Sequence, residues 1–144
     1  MMSRTVLAIA ALAIGITAVV AQDVIAERKA LMKRSGDQGK IGVQMIKGEA
    51  PFDLAKAQGI FNVYSDKAAK LISLFPESSK SGDTRALPAI WEKPAEWKAS
   101  IDKFAADIKA AQAATKDAES FKTAFETVGK NCGGCHRIFR KPQS

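Results

Sequence analysis

Four stretches of the chain repeat apolar residues at the 3.6-residue period of an α-helix, and no stretch alternates as a half-buried β-strand does. The first helix is predicted from Asp23, a candidate N-cap, to Lys47, after which Gly48 and Pro51 end it. Its apolar or small face comprises Val24, Leu31, Met32, Gly39, Gly42 and Ile46. A face of this kind is expected to pack against another helix.

Three more helices follow. The second opens at Asp53 and stops at Pro76; its stripe is Leu54, Phe61, Tyr64, Ala68, Leu71, Ile72 and Phe75. The third starts near Pro94, which is favoured in a first helical turn, and fades around Thr115; it stacks Trp97, Ile101, Phe104 and Ile108. The fourth starts at Asp117 as its cap and carries Phe121, Phe125, Val128, Cys132, Cys135 and Phe139.

The connections between these helices predict their arrangement. The first and third connections are short, which places the helices they join antiparallel and side by side. Residues 75–93 form a long connection rich in Ser, Gly and Pro, and long ordered loops often serve a site. The sequence therefore predicts an all-α protein, an antiparallel up-down-up-down four-helix bundle.

The first 21 residues differ from the rest of the chain. Arg4 supplies a positive start, residues 6–20 are nearly all apolar, and small residues precede Gln22. This pattern is typical of a cleaved secretory signal peptide, whereas a transmembrane anchor needs about 20 apolar residues. We therefore expect one mature domain, residues 22–144, exported to the periplasm with no membrane span after cleavage.

The net charge of the chain limits the kinds of partner that can be expected. The chain holds 22 lysines and arginines against 15 acidic residues, a net charge of +7, which becomes +6 once Arg4 is removed. Basic and acidic residues are interspersed and aromatics are few, so nucleic-acid binding is not expected. The positive excess favours a partner with an acidic surface, or it serves solubility alone.

Both cysteines and the only histidine stand together, as Cys132-Gly133-Gly134-Cys135-His136. In this motif two thiols can add to the haem vinyl groups, while the following histidine binds the iron. On a helix Cys132 and His136 lie one turn apart on the same side. The motif therefore predicts one covalently bound haem c.

Three other uses of the motif explain less of it. A redox dithiol normally stands at a helix N-terminus next to a βαβ pattern, and neither is predicted here. A structural zinc site needs about four ligands, and the chain offers three such residues. A disulfide between Cys132 and Cys135 would close a very small loop and leave His136 unexplained.

A sixth iron ligand has to come from methionine, because His136 is the only histidine and Met1 and Met2 leave with the signal peptide. Met32 and Met45 are about 220° apart around a helix, so only one can face the haem. Met32 shares its face with Arg28, Ser35, Gly39 and Gly42, small residues apart from the arginine, which would admit a flat macrocycle. A methionine on such a face is commonly core filler, but beside a haem Met32 is the predicted ligand.

Four stretches carry a resemblance to a known family: "ERKALMK" at 27–33, "APFD" at 50–53, "ALPAIWEKP" at 86–94 and "VGKNCGGCHRIFR" at 128–140. With its haem motif near the C-terminus, the chain resembles the class II c-type cytochromes, the cytochrome c′ family, and most closely the low-spin cytochrome c-556 branch. The resemblance implies covalent haem on Cys132 and Cys135, His136 as axial ligand and Met32 in the distal position.

The resemblance also implies which residues surround the haem. Arg28 matches an arginine near the propionates, although it is equally placed to extend along the bundle edge. Arg140 matches a basic residue near the axial histidine, and Trp91 a loop tryptophan close to the haem, although it would serve equally as a core anchor. Lys29 departs from the glutamine of many relatives, which puts any hydrogen bond from that position in doubt.

Two functions follow from the resemblance. The first is a non-enzymatic electron carrier with a low-spin His/Met haem and a redox protein as its partner. The second is a gas-binding haem protein with an open or displaceable distal position, since the family includes five-coordinate members that bind nitric oxide. Some members dimerise through their first two helices, so a homodimer is one expected state.

Overall fold

The computed structural model describes the backbone of residues 3–142 and the side chains of residues 21–142. Its helices are α1 (Ser3–Ile46), α2 (Leu54–Leu71), α3 (Ala89–Glu92), α4 (Pro94–Ala114) and α5 (Ala118–Phe139). The four long helices form a ring in which α1 packs on α2, α2 on α4, α4 on α5 and α5 on α1. The predicted all-α antiparallel four-helix bundle is confirmed.

Local sequence explains where three of the long helices begin. Asp53 caps α2, because its carboxylate accepts a hydrogen bond from the backbone N–H of Lys56 at 2.9 Å. Pro94 occupies the first turn of α4. Asp117 and Ser120 form a reciprocal capping box at the start of α5, with bonds of 2.8 and 3.0 Å. All three predicted starts are confirmed.

The predicted start of the first helix at Asp23 is wrong. The helix α1 already runs through this position, and Asp23 is an exposed residue within it. No glycine or proline lies between residues 16 and 35, so nothing in the local sequence interrupts the helix. The predicted signal peptide, residues 1–21, lies almost entirely outside the residues with described side chains and stays a prediction.

No helix in the described part of the chain has a stretch both long and apolar enough to span a bilayer.

The long connection is tied to the end of α5. Two short 3₁₀ turns, Ile72–Leu74 and Glu77–Ser79, follow α2, and the single-turn helix α3 precedes α4. Ala86 and Arg140 form an isolated antiparallel bridge, flanked by a bond from the N–H of Leu87 to the carbonyl of Phe139 at 2.9 Å. This pairing holds the connection against the helix that carries the haem motif.

Buried residues form two apolar clusters. The larger one joins all four long helices and consists of Met45, Ala57, Ile60, Phe61, Tyr64, Ala68, Phe104, Ile108, Ala111, Phe121, Ala124 and Val128. The smaller one consists of Leu71, Ile90, Trp97, Ile101 and Phe139, with Met32 and Cys135 packed against it. The predicted faces of α2, α4 and α5 supply most of both clusters.

The buried face of α1 differs in detail from the predicted one. Ile25 is 1% exposed, whereas the neighbouring Val24 is only partly buried. Met45, predicted to lie off the small-residue face, is 7% exposed and belongs to the larger cluster. The helix is therefore buried over a wider arc than the predicted stripe.

Gly42 admits the ring of Phe125 between α1 and α5. A Cβ at this position would collide with that ring. We expect Gly42→Ala to lower the free energy of unfolding by about 1–3 kcal/mol, the usual cost of overpacking a core. Denaturant unfolding of the holoprotein measures this free energy.

Gly59→Ala is the matched control. At Gly59, in α2, a Cβ would meet no atom within 4 Å, so this substitution is expected to stabilise the protein by up to about 1 kcal/mol. Equal effects at both positions would contradict the packing role of Gly42.

Candidate haem site

A cavity of about 500 Å³ lies inside the bundle and receives side chains from all five helices and the long connection. Cofactor sites in proteins commonly measure about 300–1,000 Å³ and are mainly apolar with a few convergent polar groups. Its apolar wall includes Ile25, Phe75, Ile90, Trp97 and Phe139. This cavity is large enough to receive most of a macrocycle.

The three reactive residues of the motif line this cavity together. Cys132, Cys135 and His136 lie in the last two turns of α5, each partly buried, and the two sulfurs are not joined in a disulfide. A Cβ on Gly133 or Gly134 would meet no atom within 4 Å, so α5 leaves room around the motif. The predicted grouping of two attachment thiols and one ligand is therefore present in a single wall.

The ionisation of the motif favours metal ligation over redox chemistry. Burial raises the pKa of the Cys135 thiol to about 11, the opposite of the lowered pKa that a reactive dithiol requires. Burial and the positive charge of Arg140 lower the pKa of His136 to about 4, so its imidazole is neutral and has a free lone pair at pH 7. Within residues 21–142 no three His, Cys, Asp or Glu side chains gather into a group that could hold a metal ion.

The α1 wall carries Met32, Ser35, Gly36 and Gly39. Met32 is partly buried and faces the same cavity as His136, whereas Met45 is packed in the larger cluster and does not line the cavity. A Cβ on Gly36 would meet no atom within 4 Å. Of the two candidate methionines, the structure thus brings only Met32 to the haem motif.

Arg28 is a buried cation, and no acidic residue among those described pairs with it. It is 4% exposed and donates from Nη1 to the Ser79 hydroxyl at 3.1 Å and from Nη2 to the Thr84 hydroxyl at 3.2 Å. Its guanidinium carbon lies 4.3 Å from the centroid of the Phe75 ring, and burial lowers the pKa of Arg28. The structure therefore does not have Arg28 extending along the edge of the bundle, which was the alternative expectation from the sequence. Neutral partners hold Arg28 in place and leave its charge available.

The charged side chains among the described lining residues are all basic. Arg140 also lines it, and its buried Nε has no hydrogen-bond partner in the part of the chain that the structure describes. The five basic side chains of the lining are Arg28, Lys29, Lys67, Arg85 and Arg140, and no acidic residue joins them among the described lining residues. A haem carries two propionates, so a cavity with this charge fits the group implied by the motif.

Trp91 lies one layer behind the wall. Its indole N–H donates to the carbonyl of Phe75 at 2.8 Å, and its ring packs edge-on against the Phe75 ring, with 6.1 Å between centroids. Trp97, which the sequence placed only in the core, lines the cavity instead and packs on Phe139 with centroids 5.1 Å apart. The tryptophan predicted to lie near the haem therefore supports Phe75, and another one forms the wall.

Sequence reasoning missed Lys67 and gave Tyr64 only a core role. Both lie on α2 and line the cavity. Burial raises the pKa of Tyr64 to about 12, so it stays a neutral phenol. The signal for Lys67 was its position three residues after Tyr64 and four before Leu71, on the apolar stripe itself.

Comparison with known proteins identifies the family of the chain. The family model described as Cytochrome C′ matches residues 23–140. Cytochrome c′ of Rhodopseudomonas palustris is 44% identical over 128 residues, which cover 88% of each chain, and cytochrome c-556 of the same organism is 33% identical over 145 residues, covering 96% of this chain and 97% of the relative. The solved structure of R. palustris cytochrome c′ superposes with a TM-score of 0.81 at 45% identity, covering 85% of this chain and 98% of that one.

Proposed function

Because the chain belongs to the cytochrome c′ family of class II c-type cytochromes, which bind haem c covalently, we propose that it is a periplasmic electron carrier with its iron held by His136 and Met32. The observation that carries this proposal is the shared cavity of His136 and Met32, with Met45 packed elsewhere. A bound haem c supplies an iron that exchanges one electron between its ferric and ferrous forms.

The chain's own residues support electron exchange without rearrangement. Neutral His136 and the thioether of Met32 carry no proton that has to leave when the oxidation state changes. Phe75, Trp97 and Phe139 pack edge to face along one wall, with centroids 4.9 and 5.1 Å apart, and exclude water from it. A rigid, dry wall of this kind favours a carrier, since little has to move as the electron passes.

Arg28 and Arg140 are proposed to bind the propionates. Arg28 is already oriented by Ser79 and Thr84, and the unpartnered Nε of Arg140 offers a donor to an anion. The described lining holds no carboxylate pair and no histidine other than His136, so the protein is proposed to be a carrier and not an enzyme.

The proposed partner is a redox protein with an acidic surface. Lys130, Arg137 and Lys141 are exposed around the second half of α5, next to the haem motif, and none of them forms an ion pair with a described residue. Exposed charges of one sign steer an oppositely charged partner toward such a site. The homodimer through α1 and α2 stays a prediction.

A spectroelectrochemical titration of the holoprotein tests the carrier function. Reduction and reoxidation are expected to follow the same one-electron curve, with low-spin spectra in both oxidation states, because His136 and Met32 hold the iron throughout. Hysteresis between the two directions, or a change from low to high spin on reduction, would show that the ligands rearrange and would rule out a simple carrier.

The second candidate function is gas binding at an open distal position. The relative at 44% identity bears the name cytochrome c′, and the open space around Gly36, one turn after Met32, supports room for a small ligand in the cavity. In this alternative Met32 would line the pocket without binding iron.

A further inference from the structure

We propose that Lys67 raises the reduction potential of this haem: its buried ammonium group, unpaired among the described residues, lines the same cavity as the attachment cysteines and favours the ferrous over the ferric centre. The inference concerns the same site as the proposed electron carrier and rests on that function for its biological meaning. Its physical content, a charge beside a haem, needs only the bound cofactor.

The burial of Lys67 is unusual for a lysine. It is 7% exposed and lines the haem cavity from α2, whereas lysines are almost never fully buried unless they are paired. It forms no hydrogen bond or ion pair with any described residue. Its neighbour Asp66 contacts Arg34 and Lys70 instead. The charge is therefore not neutralised locally.

Two aromatic faces hold the ammonium group in place. Its Nζ lies 4.7 Å from the centroid of the Phe104 ring and 5.3 Å from that of Tyr64. Cation–π contacts stabilise the charged form where water is scarce. Because Tyr64 remains a neutral phenol, it contributes no opposing charge.

Lys67 lines the same cavity as the two attachment cysteines. Burial lowers the pKa of Lys67, and a thiolate at Cys132 or Cys135 would raise it, so the charge of Lys67 interacts with these two attachment positions. Both sulfurs become neutral thioethers when haem is attached, so this lysine then faces the macrocycle without a compensating anion on those cysteines.

The sign of the effect follows from electrostatics. Reduction takes one electron from the donor protein and lowers the positive charge of the centre by one, whereas the ammonium form of Lys67 carries the same single charge beside either state. A nearby buried cation repels the ferric centre more than the ferrous one, and in a water-poor interior this repulsion is weakly screened. Lys67 therefore raises the potential.

Redox titration of three holoprotein variants tests the inference. Lys67→Leu removes the charge and is expected to lower the equilibrium constant for reduction at least tenfold, which is about 59 mV for one electron. Lys67→Arg keeps the charge and should stay within threefold of the wild type. Lys70→Leu, an exposed lysine one turn further along α2, is the matched control and should also stay within threefold, because water screens its charge.

Three outcomes would overturn the inference. An unchanged potential in Lys67→Leu would show that the ammonium does not act on the haem. An equal shift in Lys70→Leu would show that burial is irrelevant. A visible spectrum of Lys67→Leu with a new axial ligand would show that Lys67 binds the iron itself. The free energy of unfolding is measured for the same variants. Lys67→Leu is expected to be at least as stable as the wild type, because removing a buried unpaired charge removes its desolvation cost.

Failure of this inference is distinct from failure of the proposed function. If the wild-type protein is five-coordinate and binds gas, the carrier hypothesis fails, yet the same titration still measures the effect of Lys67. If the wild type is a low-spin carrier and the Lys67→Leu potential is unchanged, only the inference fails. Should Lys67→Leu fold poorly, Lys67→Gln makes the same comparison with a polar side chain.

Discussion

We expect Met32→Ala to convert the proposed low-spin haem to a high-spin haem that binds carbon monoxide, because the substitution removes the proposed sixth ligand from the α1 wall. The low-spin bands are expected to disappear completely at neutral pH. The reduction potential is expected to fall by at least about 60 mV, a tenfold change in the equilibrium constant, since methionine ligation raises the potential of c-type haems. Visible spectra of the reduced variant, with and without the gas, measure the first effect, and redox titration measures the second.

Met45→Ala is the matched control. Met45 is buried in the larger cluster on the same helix and does not line the cavity. Its truncation is expected to lower the free energy of unfolding by about 2–5 kcal/mol and to leave the spectrum unchanged. A Met32→Ala protein with wild-type bands, or a Met45→Ala protein without them, would contradict the assignment of the ligand.

The double variant Cys132→Ser, Cys135→Ser is expected to lose all covalently bound haem. A serine hydroxyl forms no thioether with a vinyl group, and both attachment thiols lie in the same wall of the cavity. Mass spectrometry of the denatured polypeptide, after export from a host with a haem-attachment system, gives the haem content. The wild-type chain should carry one haem and the double variant none.

Asn131→Ser controls for substitutions next to the motif. Asn131 donates a hydrogen bond to the carboxylate of Asp107 at 2.7 Å and takes no part in attachment. This variant is expected to keep its full haem content. Covalent haem on the double variant would show that other residues attach it, and the assignment of the motif would fail.

Much of the fold could be predicted because the long helices are strongly amphipathic and bear local stop and start signals. Asp53, Pro94 and Asp117 act through contacts within a few residues, which a sequence pattern can identify. The helix α3 was not predicted, since a single turn is shorter than any periodicity that could reveal it. The bridge between Ala86 and Arg140 joins residues 54 positions apart and has no local signature.

The site was predictable where chemistry is concentrated in a motif. Cys132, Cys135 and His136 lie within five consecutive residues, and the structure brings Met32 to the same cavity. Trp91 and Trp97 could not be told apart by sequence, because which ring reaches the cavity depends on how the connection folds over Phe75. Lys67 was missed because lysine on a helix is normally solvated.

The visible spectrum of the reduced wild-type holoprotein, recorded before and after adding carbon monoxide, tests most directly whether Met32 closes the far side of the haem. Sharp low-spin bands that the gas does not change are predicted, because His136 and Met32 then occupy both axial positions. A broad high-spin spectrum that shifts when the gas is added would contradict the account and would establish an open distal position.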